Sequence, residues 1–231
     1  MNSSRISVQE FLLIIVGLSV SGLLISAASL VIALVKSPLA ASTINGVLVE
    51  PVAKWQTWAL LFEVCSCAVV GFRYLHGNIR SLEAMDGIIT ACPVASDRIR
   101  LKKRFWLFSA GSLLQAFVYA FACALFSVQY SFFVALGVVF LIDVVFTSLA
   151  GFGNVAITDP GTERAWDPIE DTHKKWAALS TLQVLAVAVI CTIWYIQKEG
   201  FESSAQVALG SALVTCTCLD YYFDRKFYFA E

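Results

Sequence analysis

Apolar positions along this chain gather into long runs separated by polar segments, with little short-range alternation. The runs fall at about 11–35, 55–75, 105–126, 130–152, 176–196 and 203–222. About 20 apolar residues at 1.5 Å each cover a hydrocarbon core of roughly 30 Å, so each run reads as a membrane-crossing helix. The pattern predicts an all-α fold: one polytopic transmembrane bundle of about six helices spanning residues 1–231. Residues 127–129 and 197–202 leave room only for turns, making 105–152 and 176–222 helical hairpins. The polar stretches 76–104 and 153–175 read as loops on one side of the membrane.

The lysines and arginines give that side a name. With both termini inside, thirteen of the 16 basic residues lie on the cytoplasmic face, leaving Lys36, Lys54 and Lys198 outside. Cytoplasmic segments carry such an excess, so the charge pattern predicts N-in, C-in and an even number of spans. The opening MNSSRISVQE precedes the first run without a small-residue cleavage site and reads as the start of a retained helix.

Shorter signals lie between the runs. Asn45-Gly46 fits a two-residue turn, so a small hairpin or an irregular loop caps the outer face. Asp167-Pro168, with Glu170 behind it, supplies a cap, a first-turn proline and an acid, which predicts a helix start near Pro168. The acidic 154–175 segment could dock against the basic 73–104 segment or be a solvated helix start. Gly77 reads as the cap ending the second helix. The tail from Asp220 to Phe229 mixes aromatics with Arg225 and Lys226, as an interfacial anchor does.

Composition supports the membrane class: 58% of the residues are hydrophobic and 14% charged, against about 25% charged in soluble domains. A net charge of −1 leaves no electrostatic case for nucleic acid. Of the seven cysteines, Cys65/Cys67 and Cys216/Cys218 are spaced two apart, which on a helix points them to different faces. No metal site is expected from them, nor a cofactor, since phosphate loops and metalloprotease or hydrolase motifs are absent.

The chemistry left is polar groups at membrane depth. Glu63, Gln115, Asp143, Gln183 and Asp220 put one group on each of the second to sixth helices, with no Lys or Arg expected at matching depth. A carboxylate at the bilayer centre costs on the order of 2.5–3.5 kcal/mol on insertion scales, so such groups face an interior. Two readings compete: an ion or proton path lined by carboxylates, or interhelical hydrogen bonds to protonated acids. Near the inner interface, Arg73, His76 and Asn78 with Arg98, Arg100, Lys102, Lys103 and Arg104 form a candidate contact for lipid, phosphate or a partner.

The stretches Phe72-Arg-Tyr-Leu-His-Gly-Asn78 and Asp220-Tyr-Tyr-Phe-Asp-Arg-Lys-Phe-Tyr-Phe229 resemble small multi-spanning bacterial inner-membrane proteins of uncharacterised role. The resemblance implies a bacterial inner membrane and supplies no activity. The sequence thus predicts a non-enzymatic membrane subunit (sensor, scaffold or pore-forming component), assembled as a homo-oligomer in the bilayer and engaging a cytoplasmic protein. The alternatives are an ion or proton channel or transporter using the buried carboxylates, and a membrane enzyme acting on lipid headgroups through His76.

Overall fold

The computed structural model describes residues 50–126, 129–151, 157–197 and 202–229, with isolated positions of the first run. The first span and the Asn45-Gly46 turn therefore lie largely outside the described residues. Among the described residues the helices run in order α1 (Glu50–Ala91), α2 (Ala95–Ala124), α3 (Gln129–Gly151), α4 (Pro160–Gln197), α5 (Glu202–Phe223) and the short α6 (Arg225–Phe229). No strand occurs among the described residues. α3 packs between α2 and α4, while α5 packs against α1 and α4, and α1 also touches α2 and α4. Four of these helices contain stretches long and apolar enough to cross a membrane: Trp58–Ala91, Ala95–Ala124, Ser131–Ala150 and Pro160–Gln197.

Length separates the helices into two kinds. At 1.5 Å per residue, α3 and α5 are about 35 and 33 Å long, close to one bilayer core. α1, α2 and α4 run to about 63, 45 and 57 Å and overshoot it. The overshoot lies at one end, where α1 finishes and α2 and α4 begin. The segments 76–104 and 153–175 are thus mostly helical, not loops: only Cys92-Pro93-Val94 separates α1 from α2.

The cause is a stripe that continues past each apolar run. In α4 the buried residues include Thr162, Trp166, Ile169, His173, Trp176, Ser180, Gln183, Val187, Ile190 and Trp194. Steps of three and four repeat without a break, the spacing by which one helix face meets a neighbour. Asp97, Leu101, Arg104 and Phe108 do the same in α2, and Leu82, Met85 and Ile89 in α1. What changes at the membrane boundary is the outward face. It carries Glu163, Arg164, Asp167 and Lys174 on the α4 extension, then Leu182, Leu185 and Val189 farther along. Apolar side chains outside and polar ones inside suit a lipid surrounding.

Two cap predictions change for local reasons. α4 starts at Pro160 because Asp159 takes the cap role: its side chain accepts from Gly161 N (3.3 Å) and Thr162 Oγ1 (2.5 Å). Pro168 lies inside the helix on its exposed face. Gly77 does not end α1. A Cβ there would sit 3.0 Å from the Trp176 ring and 3.2 Å from the Tyr228 hydroxyl, so glycine permits a close approach. The α1 terminus is instead held by Arg98, whose guanidinium donates twice to the Cys92 carbonyl, at 2.6 and 3.1 Å.

Basic and acidic segments do dock, though through an acid on the basic side. Asp97, fully buried, accepts from Thr158 N (2.9 Å), Thr158 Oγ1 (2.6 Å) and Asp159 N (3.1 Å). Arg104 is buried over the Trp166 ring, 5.1 Å from its centroid. Together these clasp the start of α2 to that of α4.

Candidate functional site

Asp143 projects from the middle of α3 into the bundle and is 4% exposed. Its carboxylate accepts from two other helices: Gln115 Nε2 of α2 at 3.1 Å and Ser180 Oγ of α4 at 2.5 Å. The Tyr74 hydroxyl of α1 donates to Gln183 Oε1 at 3.2 Å and lies 3.5 Å from Ser180 Oγ. Asn78 Nδ2 reaches Gln115 Oε1 at 3.5 Å. One polar seam therefore joins α1, α2, α3 and α4. Helical spacing produces it, since Tyr74 and Asn78, Gln115, Asp143, and Ser180 and Gln183 all lie on the inward stripes of their helices.

The seam has little spare room. Beside it is a cavity of about 20 Å³ between Tyr74, Asn78, Ser112, Gln115 and Tyr119, close to the volume one water needs. Its wall includes Ser112 Oγ, a buried hydroxyl that has no hydrogen-bond partner among the described residues. Moreover, the links from Asn78 through Gln115 to Asp143 run through side-chain amides, which do not titrate and so do not hand on protons as carboxyl or imidazole groups do.

A second constellation lies beside the seam. Arg73, 5% exposed, donates from Nε to Asp220 Oδ2 of α5 at 2.8 Å, and the Tyr228 hydroxyl donates to the same oxygen. The guanidinium also sits 4.7 Å from the centroid of Tyr74 and 5.3 Å from that of Trp176, in cation–π range. Arg73 thus belongs to the interior rather than to the interfacial basic patch, and it is the cation expected to be missing at the depth of the acids. His76 Nδ1 lies 3.2 Å from the Tyr221 hydroxyl, its ring packed against Tyr228 at 5.1 Å between centroids. Only part of the tail faces outward as an interfacial anchor would: Tyr222, Phe223, Arg225, Lys226 and Phe229 are exposed. The chain turns at Asp224, and α6 inserts Tyr228, 3% exposed, into the bundle. The stretches 72–78 and 220–229 meet here.

Of the five polar groups expected at depth, Gln115, Asp143 and Gln183 come together and Asp220 joins Arg73. Glu63 is fully buried on α1 but lies about 16 Å along the helix axis from Tyr74, away from the seam. The basic candidates disperse: Arg73 and Asn78 are internal, Arg98 caps α1, Arg104 covers Trp166, and Arg100 and Lys103 are exposed. Sequence reasoning missed Tyr74, Ser180, Tyr228 and His173. His173 is buried against Phe108 (5.0 Å, stacked) with Nε2 2.8 Å from Ser81 Oγ. The three-and-four spacing running back from Trp194 to Thr162 would have placed both His173 and Ser180 inside.

Beyond the membrane segments, burial at the α5–α6 corner raises the Asp224 carboxyl above the usual carboxylate range, although Lys175 Nζ lies only 3.1 Å away and pulls the other way. Among the described residues, no cluster of His, Cys, Asp and Glu could hold a metal ion. Comparison with protein-family models, with curated proteins and with solved structures finds no match.

Proposed function

We propose that this chain is a non-enzymatic integral membrane subunit that serves as a scaffold, a six-helix bundle with both termini in the cytoplasm. The carrying observation is the closed polar seam: Asp143, Gln115, Ser180, Tyr74 and Gln183 bond to one another across four helices, beside a cavity of about 20 Å³. A bundle built so holds its helices in one register, and a water-filled path would need the seam to part. Interhelical hydrogen bonds of this kind contribute roughly 0.6 kcal/mol each on average, enough in combination to choose register.

The helical extension of α1, α2 and α4 supports the partner-binding half of the proposal. It is a rigid, charged platform beyond the apolar spans, with Arg100, Lys103, Glu163 and Asp167 exposed. Under the charge asymmetry it stands in the cytoplasm of a bacterial cell, attached to the inner membrane, and self-association in the bilayer places several platforms together. Two experiments test this. C-terminal green fluorescent protein and alkaline phosphatase fusions report orientation, with fluorescence and no phosphatase activity expected. Ion flux across proteoliposomes tests the scaffold role, which predicts none above protein-free vesicles.

A further inference from the structure

Where the extension meets the membrane-spanning part, a groove of about 870 Å³ opens between α1, α4 and the α5–α6 corner. Its walls carry Arg80, Glu83, Asp171, Lys175 and Asp224, and its rim carries Arg225 and Lys226. The three acids are already engaged: Glu83 by Arg80 at 3.1 Å, Asp171 and Asp224 by Lys175 at 2.6 and 3.1 Å. Arg225 and Lys226 are exposed and, among the described residues, make no ion pair. Lys175 serves two acids, so the lining's four cations exceed its three acids by one, and the two cations outside these pairs are both exposed.

Apart from Thr172, the rest of the lining is largely apolar, with Ile88, Pro168 and Ile169 on the extension side and Tyr222, Phe223 and Phe227 at the corner. Tyr222 and Phe223 are 68% and 56% exposed and directly precede the charged turn. The groove lies at one level of the fold, where the outward faces of α4 and α5 pass from apolar to charged. That is the level of lipid headgroups, where aromatic and basic side chains concentrate.

The geometry points to a binding site for the headgroup of an anionic phospholipid, its phosphate against Arg225 and Lys226 and its glycerol and first methylenes against Tyr222, Phe223 and Phe227. Charge complementarity selects the occupant, because the lining carries one more cation than acids and the two cations outside its ion pairs, Arg225 and Lys226, are the exposed ones. Each such cation near an anionic surface contributes about 1 kcal/mol, roughly fivefold in affinity. A lipid so held would tie the tail helix α6 to the bilayer and to Arg80, which donates to the Phe227 carbonyl at 3.4 Å.

The test uses the full chain in mixed micelles, titrated with phosphatidylglycerol, with phosphatidylcholine or with inorganic phosphate, and followed by thermal unfolding. Phosphatidylglycerol at about a hundred times its Kd is expected to raise Tm by roughly 5–10 °C, and the other two to have little effect. Arg225→Gln/Lys226→Gln, both at exposed positions, should lose at least half of that shift. Lys102→Gln/Lys103→Gln, in the other basic cluster, should keep it. Equal shifts with phosphatidylcholine, a matching shift with inorganic phosphate, or a full shift in the Arg225/Lys226 variant would each overturn the assignment. Flux across proteoliposomes is read separately, so this site and the scaffold role can fail independently.

Discussion

Replacing Arg73 by methionine removes a charge and keeps most of the volume, which isolates what the ion pair contributes. Asp220 would then be a carboxylate with 1% exposure and no cation, its remaining support the Tyr228 hydroxyl. Breaking a buried pair in this way costs about 3–5 kcal/mol, since the abandoned charge keeps its desolvation penalty. At roughly 2–4 °C per kcal/mol for a chain of this size, Tm should fall by about 6–20 °C. Asp220→Asn strands Arg73 similarly, while the double variant Arg73→Met/Asp220→Asn leaves neither charge of this pair buried. It should therefore be less unstable than the two single losses combined, by on the order of 2–3 kcal/mol. Thermal unfolding in detergent followed by tryptophan emission suits the measurement, because Trp176 lies against the Arg73 guanidinium. Single variants that each shift Tm by under about 2 °C and add in the double would refute the reasoning, since Arg73 and Asp220 would then be solvated independently.

Further expectations follow from the same geometry. Asp143→Ala leaves both the Gln115 amide and the Ser180 hydroxyl without their acceptor and should cost about 2–3 kcal/mol, with Asp143→Asn costing less, read as Tm in detergent. Asp97→Ala removes the acceptor for three donors around Thr158 and should cost about 2 kcal/mol and speed proteolytic cleavage near residue 157. A Cβ at Gly111 would lie 2.3 Å from the Phe146 ring, so Gly111→Ala should destabilise by about 1–3 kcal/mol and be partly rescued by Phe146→Leu. Because the folded-state pKa of Asp224 is raised, the fold holds a proton there that the unfolded chain has released once pH exceeds the ordinary 3.8. Its contribution to stability therefore declines as pH rises above 3.8, and Asp224→Asn should gain on the wild type in Tm as pH is raised from there.

The membrane-facing part of the molecule was legible because it depends on bulk polarity. Expected starts at 105 and 176 coincide with the change from charged to apolar outward residues in α2 and α4. Asp143 with its partner Gln115, and Gln183 in the same seam, could also be read, since an expensive polar group in an apolar run must face inward; the expected Asp143–Gln183 contact is instead made by Ser180. From Pro168 onward the α4 extension was announced by its cap signal; the rest of the α2 and α4 extensions escaped notice because the inward stripe is sparse in aliphatic residues, with Asp97, Arg104, Thr162 and His173 at positions where leucine or valine would have announced a helix. Tertiary partners supply what those residues lack, through Thr158, Trp166, Phe108 and Ser81. The Arg73–Asp220 pair was hidden for another reason: its members lie 147 positions apart, and nothing local in either stretch signals the other. Gly77 shows the same limit, since a glycine that ends a helix and one that admits a tryptophan ring look alike until the neighbour is known.

The central claim is that the seam around Asp143 is a structural joint and not a conducting path. The most direct test compares wild type and Asp143→Asn for proton and monovalent cation flux across proteoliposomes over a range of pH, with Tm measured on the same preparations. The account predicts flux no greater than that of protein-free vesicles for both, with Asp143→Asn lowering Tm. A pH-dependent flux that appears with the wild type and vanishes in Asp143→Asn would contradict it.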